Sequence, residues 1–233
     1  MIESELRFEP SRMIPLLNAF LSLPERLRPV RWAVGEDEAG EDIGDPQKFV
    51  ANAAGNKLGF FLRGPNSTYD INPAGRELIV CNCYFETGPD AVLEFLLHMA
   101  RADPIFGFAC APEEIRHRNR IKIKLGVNTI ESWVGRNPRK YIPGLYWLTL
   151  IPASLAAQHS VPLEELEKHA IEHIELEGQQ HLFRFYERPE DWNSAATRST
   201  VSAPGIFDIE KVRPELEGAK TFLEYSDLVA AWS

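Results

Sequence analysis

Cysteine is scarce in this chain, with three residues among 233. An odd and sparse set argues against a disulfide framework, so we expect reduced thiols. Cys81 and Cys83 lie two residues apart in a strand-like run, where alternate side chains point to the same face. A Cys-x-Cys metal pair needs further ligands, and none lies at the spacing typical of zinc sites. We therefore interpret both residues as small buried hydrophobic side chains.

Long apolar runs are also missing from the sequence. No segment approaches the roughly 20 apolar residues that a membrane helix needs. The first nine residues include Glu3, Glu5, Arg7 and Glu9, and they lack the basic start and apolar stretch of a secretory signal. These absences predict a cytoplasmic protein that does not enter a membrane.

The common signatures of cofactor binding and catalysis are absent. Neither Gly-x-Gly-x-x-Gly, nor the Lys-bearing P-loop spacing, nor a Gly-x-Ser-x-Gly nucleophile elbow occurs,. His169, His173 and His181 would suggest a metal site if the first two shared a helical face, but a strand would separate those two. We predict no catalytic residue, no cofactor and no metal site.

Acidic residues outnumber basic ones by 34 to 25, which gives a formal net charge of −9. This excess disfavours nucleic acid as a direct ligand and leaves a basic protein as the expected partner. One run is basic and has no interleaved aromatic residues, so we interpret it as a solvated face or a charge-protected edge strand. Its members are Arg116, Arg118, Arg120, Lys122 and Lys124.

The densest acidic segment runs from Gly35 to Gly44 and contains no basic residue. The pattern predicts a solvated loop, and its acids do not follow the alternation of an EF-hand. Closely spaced carboxylates can steer a cationic partner, so we take this loop as the candidate binding element. The residues concerned are Glu36, Asp37, Glu38, Glu41 and Asp42.

Hydrophobic periodicity and turn signals predict an α+β fold, a single domain over residues 1–233 with a mainly antiparallel sheet packed by helices. The predicted helices are Ser11 to Leu27, Pro46 to Ala54 with Asp45 as cap, Thr87 to Ala100 with a capping Thr87 hydroxyl, and Pro112 to Asn119. Pro24 is expected to end or kink the first of them. The predicted strands are Val30 to Val34, Leu58 to Arg63, Thr68 to Ile71, a central strand at Arg76 to Phe85, and Phe106 to Cys110.

Two segments allow alternatives. Ile121 to Leu125 alternates like a half-buried strand, although the preceding helix could continue through it. The region from Leu163 onward is either one helix to Glu177 or a helix that ends near Lys168 and is followed by a hairpin around Gly178. We favour the hairpin because residues 182–186 alternate cleanly.

Aromatic residues, proline and glycine concentrate between Ser132 and Pro152. The order Pro143-Gly144-Leu145-Tyr146-Trp147 implies a fixed bend that delivers a large aromatic side chain into a buried strand. A helix-like run, Ala153 to Gln158, follows directly.

This block resembles the type VI secretion immunity family, in which a similar Pro-Gly-aromatic-Trp-Leu segment leads into a helix of small residues. Leu78 to Phe108 resembles the strand, helix and Phe-Gly-Phe strand of the same family. The fifty-second immunity family of polymorphic-toxin systems is a second possibility. Members of these families bind and neutralise a partner toxin and are not enzymes.

The resemblance implies a scaffold role for the motif residues Tyr141, Pro143, Gly144, Tyr146 and Trp147. It does not transfer interface residues, because toxins differ among members. The function expected from it is neutralisation of a secreted antibacterial toxin by blocking the toxin's active site or its access to substrate. The alternative is a small-molecule-processing enzyme with unrecognised catalytic residues.

Overall fold

A large antiparallel sheet forms the centre of the protein. The computed structural model describes residues 1–36, 40–73, 77–194 and 204–233, and these contain twelve strands. The strands are β1 (Ile2–Phe8), β2 (Arg31–Ala33), β3 (Glu41–Asp42), β4 (Phe60–Arg63), β5 (Ser67–Asn72), β6 (Ile79–Phe85), β7 (Phe106–Cys110), β8 (Arg120–Leu125), β9 (Asn128–Trp133), β10 (Leu148–Pro152), β11 (Glu172–Leu176) and β12 (Gln180–Arg184).

The same residues contain eight α-helices and short 3-10 turns. The α-helices are α1 (Met13–Leu21), α2 (Pro46–Gly55), α3 (Pro89–Met99), α4 (Pro112–Asn119), α5 (Ala153–Gln158), α6 (Leu163–His169), α7 (Ile209–Glu217) and α8 (Phe222–Trp232). In this part of the chain no helix is both long and apolar enough to cross a membrane.

Ten of these strands form one sheet in the order β11-β12-β10-β7-β1-β6-β5-β4-β2-β3, and β8 and β9 form a separate hairpin. Every neighbouring pair in the large sheet is antiparallel. The predicted α+β class, a single domain with a mainly antiparallel sheet packed by helices, is therefore confirmed.

Strand β1 lies in the middle of the sheet, although the sequence analysis assigned no strand there. It pairs with β6 on one side and β7 on the other, so that Leu6 lies opposite both Cys81 and Gly107. Its charged residues Glu5 and Arg7 concealed it, because a buried central strand normally reads as a nearly continuous apolar run. Both side chains are buried as an ion pair instead.

One face of the sheet is covered by α1 and α3, and the main core lies between these helices and the sheet. Phe20 of α1 and Phe95 of α3 enclose Tyr69 of β5, with ring centroids 4.6 and 5.6 Å from the Tyr69 ring. Phe85 packs against Phe95 at 4.9 Å. We call the face beneath α1 and α3 the helix-covered face. The Tyr69 hydroxyl donates to the Leu27 carbonyl at 2.6 Å, so this buried polar group has a hydrogen-bond partner inside the core.

A second, smaller core joins the β8–β9 hairpin to α7 and α8. Ile121 and Ile123 of β8 pack with Val212 and Leu216 of α7, and Tyr225 of α8 is buried among them. The strand interpretation of Ile121 to Leu125 is therefore confirmed over the continued helix. Strand β9 was not predicted, because its residues have no clean apolar alternation.

Most local predictions are confirmed, including the hairpin β11–β12 that follows α6. Asp45 caps α2 by accepting hydrogen bonds from the Gln47 and Lys48 amides. Helix α1 ends at Leu21, before Pro24, and α3 begins after Gly88 without a bond from the Thr87 hydroxyl. The predicted Thr87 cap is therefore wrong. Arg76, the predicted start of the central strand, lies outside the described residues.

Candidate functional site

The Pro-Gly-aromatic motif is internal. Pro143, Gly144 and Tyr146 are buried, and the Trp147 side chain is only 2% exposed. The Tyr146 ring stacks on Phe108 of β7 with centroids 3.9 Å apart. The motif therefore fixes the entry of the chain into β10 and presents no surface for a partner.

Tyr141, the first residue of the motif, joins the two cores. Its ring lies 5.4 Å from the Phe207 ring, and its hydroxyl donates to the carbonyl of Trp232 at the end of α8. Partial burial raises the pKa of Tyr141 to about 12, so the hydroxyl stays protonated as a donor at neutral pH,. Tyr141 therefore attaches the C-terminal helix to the sheet.

A buried carboxylate lies next to the motif, where it accepts a backbone hydrogen bond from Trp147. Glu114 of α4 is fully buried and accepts from Arg118 Nε at 2.7 Å and from the Tyr186 hydroxyl. Burial raises the pKa of Glu114 above its ordinary value, against the lowering effects of Arg118 and Tyr186. Glu114 is thus a structural partner that ties α4 to the end of β12, and no sequence signal distinguished it from Glu113.

The acidic segment lies at one edge of the sheet. Glu41 and Asp42 form the edge strand β3, paired with β2, which corrects the prediction of a loop throughout. Glu36 is exposed beside them, whereas Asp37 and Glu38 fall outside the described residues. We call Glu36, Glu41 and Asp42 the acidic edge.

Two arginines anchor the acidic edge to the sheet. Arg31 donates to the Gly40 carbonyl at 2.8 Å and lies 3.4 Å from Asp42 Oδ1. Arg63 of β4 donates to the Glu36 carbonyl. The segment contains no base of its own, but the fold brings in two. They hold its backbone, and Glu36, Glu41 and Asp42 remain exposed.

Beside the acidic edge, the second face of the sheet is polar and half-exposed. Along β6 and β5, side chains alternate between fully buried positions on the helix-covered face and half-buried or exposed ones on the other. We call the face with the half-buried and exposed side chains the open face. Its side chains are Val80, Asn82 and Tyr84 of β6, Thr68, Asp70 and Asn72 of β5, Phe61 and Arg63 of β4, Arg31 of β2 and Asp42 of β3.

Strand register arranges these side chains in rows that cross the open face. One row runs from Glu3 through Tyr84, Thr68, Arg63 and Arg31 to Asp42. In the next row, Asn82 donates to Asp70 Oδ2 at 3.1 Å. The first row therefore connects the acidic edge to the centre of the sheet by polar and charged side chains.

Tyr84 is the most exposed aromatic side chain among the open-face residues defined above. Partial burial, together with the nearby carboxylates of Glu3, Asp70 and Glu36, raises the pKa of Tyr84 to about 12. An exposed tyrosine with a protonated hydroxyl is a residue type enriched in protein interfaces.

At the other end of the open face, Trp133 at the end of β9 and Arg136, three residues further on, form a rim beside β1 and β6. Arg136 reaches Glu5 of β1, and its guanidinium carbon lies 5.0 Å from the Trp133 ring centroid. Arg120 lies over the same ring at 4.6 Å. Clefts of about 240 and 300 Å³ border this rim. No local sequence pattern predicts the rim, because Glu5 and Arg136 are 131 residues apart.

His169, His173 and His181 lie on the hairpin and on the helix before it, and two of the cysteine residues lie on β6. His173 and His181 face each other across the hairpin, with His173 Nε2 3.0 Å from His181 Nδ1, and His169 ends α6. Within the described ranges no three His, Cys, Asp or Glu side chains form a metal-ligand group. Cys81 and Cys83 are fully buried free thiols on one face, which confirms the structural interpretation.

The basic run is divided by the fold. Lys122 and Lys124 are exposed on β8, as a charge-protected strand requires, and Lys122 pairs with Glu131 at 2.7 Å. Arg118 instead turns inward to Glu114. The run therefore forms no continuous cationic surface.

Comparison of the chain with protein-family models, with curated proteins and with solved structures gives no match.

Proposed function

We propose that this chain is a cytoplasmic immunity protein that binds a secreted antibacterial toxin and blocks its active site or its access to substrate. The observation that carries the proposal is the open face with Tyr84 near its centre and the acidic edge along one border. The resemblance of the Tyr141 to Gln158 segment to the type VI secretion immunity family supports the same class.

The open face has the composition of a recognition surface. It combines an exposed tyrosine, amides and charges of both signs, and the sheet beneath it is fixed by a packed core. Non-obligate interfaces are of this mixed polar kind, with aromatic residues near the centre and a solvated rim. A rigid sheet also costs little conformational entropy on binding.

The acidic edge indicates that the partner's binding surface is basic. Glu41 is exposed, and the Asp42 side chain is largely exposed despite Arg31. A toxin that acts on nucleic acid or nucleotides presents a basic cleft, and carboxylates at the edge of the sheet would attract that cleft and occupy it. The partner is therefore a protein with a basic active site, the chain makes no direct contact with nucleic acid, and inhibition requires no catalysis.

Co-expression with the adjacent open reading frame tests this function. Induction of that reading frame alone is expected to arrest growth, and simultaneous expression of the chain is expected to restore growth through a stoichiometric complex that copurifies. The complex is expected to persist in chelator, because binding uses no metal. Restored growth without a complex would favour enzymatic detoxification, and failure to restore growth would contradict the proposal.

A further inference from the structure

Two histidines face each other across the hairpin of β11 and β12. His173 lies opposite Phe183 in the strand register and His181 lies opposite Glu175, so both imidazoles are on the same face of the hairpin,. His173 Nε2 and His181 Nδ1 are 3.0 Å apart. The strand that separates His173 from His169 therefore removes a helical pair of histidines and creates a different pair across the hairpin.

The distance between the two nitrogens is close to the one that a shared metal ion requires. Tetrahedral zinc, with bonds of about 2.0 to 2.1 Å to imidazole nitrogen, holds two such ligands about 3.4 Å apart. In the hydrogen bond that now joins the nitrogens, one donates and the other accepts. A neutral imidazole carries its hydrogen on either nitrogen, so transfer to the outer nitrogens leaves both inner lone pairs free to bind a metal.

The surroundings of His173 favour this arrangement. Its ring stacks on Phe183 with centroids 4.4 Å apart and an interplanar angle of 9°, which fixes the ring orientation. Glu167 Oε1 of α6 lies 3.6 Å from Nδ1, the outer nitrogen. A carboxylate in this position keeps the hydrogen on Nδ1 and leaves Nε2 as the ligand, as is usual for metal-bound histidines. Lys168 of the same helix pairs with Glu165 instead.

The charges on the hairpin are also compatible with a bound cation. Glu175 is the residue directly opposite His181. Arg184 is the only arginine or lysine between residues 172 and 184. It lies on the opposite face and pairs with Glu172 at 3.0 Å. Burial, together with the neighbouring His173, lowers the pKa of His181 below its ordinary value, so His181 is a neutral imidazole at neutral pH,.

We propose that His173 Nε2 and His181 Nδ1 bind one divalent transition-metal ion of the zinc type, with water completing its coordination. Imidazole nitrogen suits Zn²⁺, Cu²⁺ and Ni²⁺, whereas Mg²⁺ and Ca²⁺ prefer oxygen. The His173 side chain is 20% exposed, which gives the ion access from solvent. No third His, Cys, Asp or Glu side chain completes the group among the described residues.

The site is independent of the toxin partner. Strand β11 is at the opposite end of the sheet from β3 and the acidic edge. An ion held by both strands of the hairpin stabilises the folded chain, because it binds the folded state and not the unfolded one.

Zn²⁺ is the probe, and Mg²⁺, which has the same charge, is its matched control. The purified chain is treated with chelator, dialysed and titrated by calorimetry, and NMR of the histidine ring nitrogens reports the position of the ion. Zn²⁺ is expected to bind at one equivalent and to shift the His173 Nε2 and His181 Nδ1 resonances, whereas Mg²⁺ is expected to leave them unchanged. Absence of saturable zinc binding, or the same response to both ions, would overturn the proposal.

His173→Gln and His181→Gln are each expected to weaken zinc binding at least tenfold, because a single imidazole ligand remains. His169→Gln is the control, since His169 is an exposed histidine at the end of α6 and should leave zinc binding unchanged. If His181→Gln does not fold, the more exposed His173→Gln and the wild-type nitrogen shifts decide. Zinc binding that persists in the His173 variant, or that His169→Gln weakens equally, would contradict the site.

Discussion

Replacement of Trp147 by alanine is expected to lower the free energy of unfolding by about 3 to 5 kcal/mol, since a large aromatic side chain removed from a packed interior leaves a cavity. Trp147 is 2% exposed, and its carbonyl accepts from the Phe185 amide at 3.0 Å. Among the described residues its indole Nε1 has no hydrogen-bond partner, so the side chain stabilises the fold mainly through packing. Trp147→Phe is therefore expected to cost much less.

Urea unfolding of the purified variants measures this loss. Trp133→Ala is the matched control, because Trp133 is 37% exposed and its removal leaves no closed cavity. A loss below about 1 kcal/mol for Trp147→Ala would contradict the buried scaffold role of the motif.

Arg118→Ala is expected to lower stability by about 3 to 5 kcal/mol at neutral pH, because it leaves the buried Glu114 carboxylate without its cation. Glu114 is fully buried, and its remaining partners are the Tyr186 hydroxyl and a backbone hydrogen bond from Trp147. Neither of these neutralises a negative charge. The double variant with Glu114→Gln is expected to recover most of the loss.

The Arg118→Ala deficit also has a predictable dependence on pH. Burial already raises the pKa of Glu114 above its ordinary value of 4.5, and loss of Arg118 raises it further. A group whose pKa is higher in the folded state favours folding below its unfolded pKa, and that contribution disappears as the pH rises through the folded pKa. The deficit is therefore expected to be small below about pH 4.5 and to grow as the pH rises. A deficit that does not vary with pH would show that Glu114 is not the residue left unpaired.

Local structure was largely predictable from the sequence, because its causes are local. Helix α3 has an apolar stripe and stops before Pro104, and the hairpin β11–β12 combines clean alternation with a turn in which Gly178 takes a φ of 73°. Strand β1 was missed because Glu5 and Arg7 contradict the apolar pattern of a central strand. Their burial depends on Arg136, and no local rule foresees that pairing.

The candidate site was predictable only in part. The acidic segment could be identified from its charges. The sequence did not predict that Asp42 pairs into the sheet, or that Arg63, which is distant in sequence, donates to the Glu36 carbonyl. The open face consists of alternating residues on several strands, and its rows depend on strand register. Register across five strands follows from tertiary packing, which a single sequence does not display.

Association of the chain with the product of the adjacent open reading frame, followed by stopped flow at increasing salt, tests the binding surface most directly. One variant changes the acidic segment to lysine at Glu36, Asp37, Glu38, Glu41 and Asp42. The matched control makes the same change in net charge at exposed carboxylates near the opposite edge of the sheet, Glu164, Glu165, Glu167, Glu175 and Glu177.

Wild-type association is expected to slow steeply with salt, because the Debye length is only about 10 Å at 0.1 M ionic strength. The acidic-segment variant is expected to associate about tenfold more slowly or worse at low salt and to lose most of that salt dependence, while the control stays close to wild type. Both variants should keep wild-type thermal stability, since exposed charges contribute little to folding. Equal on-rates and equal salt slopes for the two variants would contradict steering by the acidic edge.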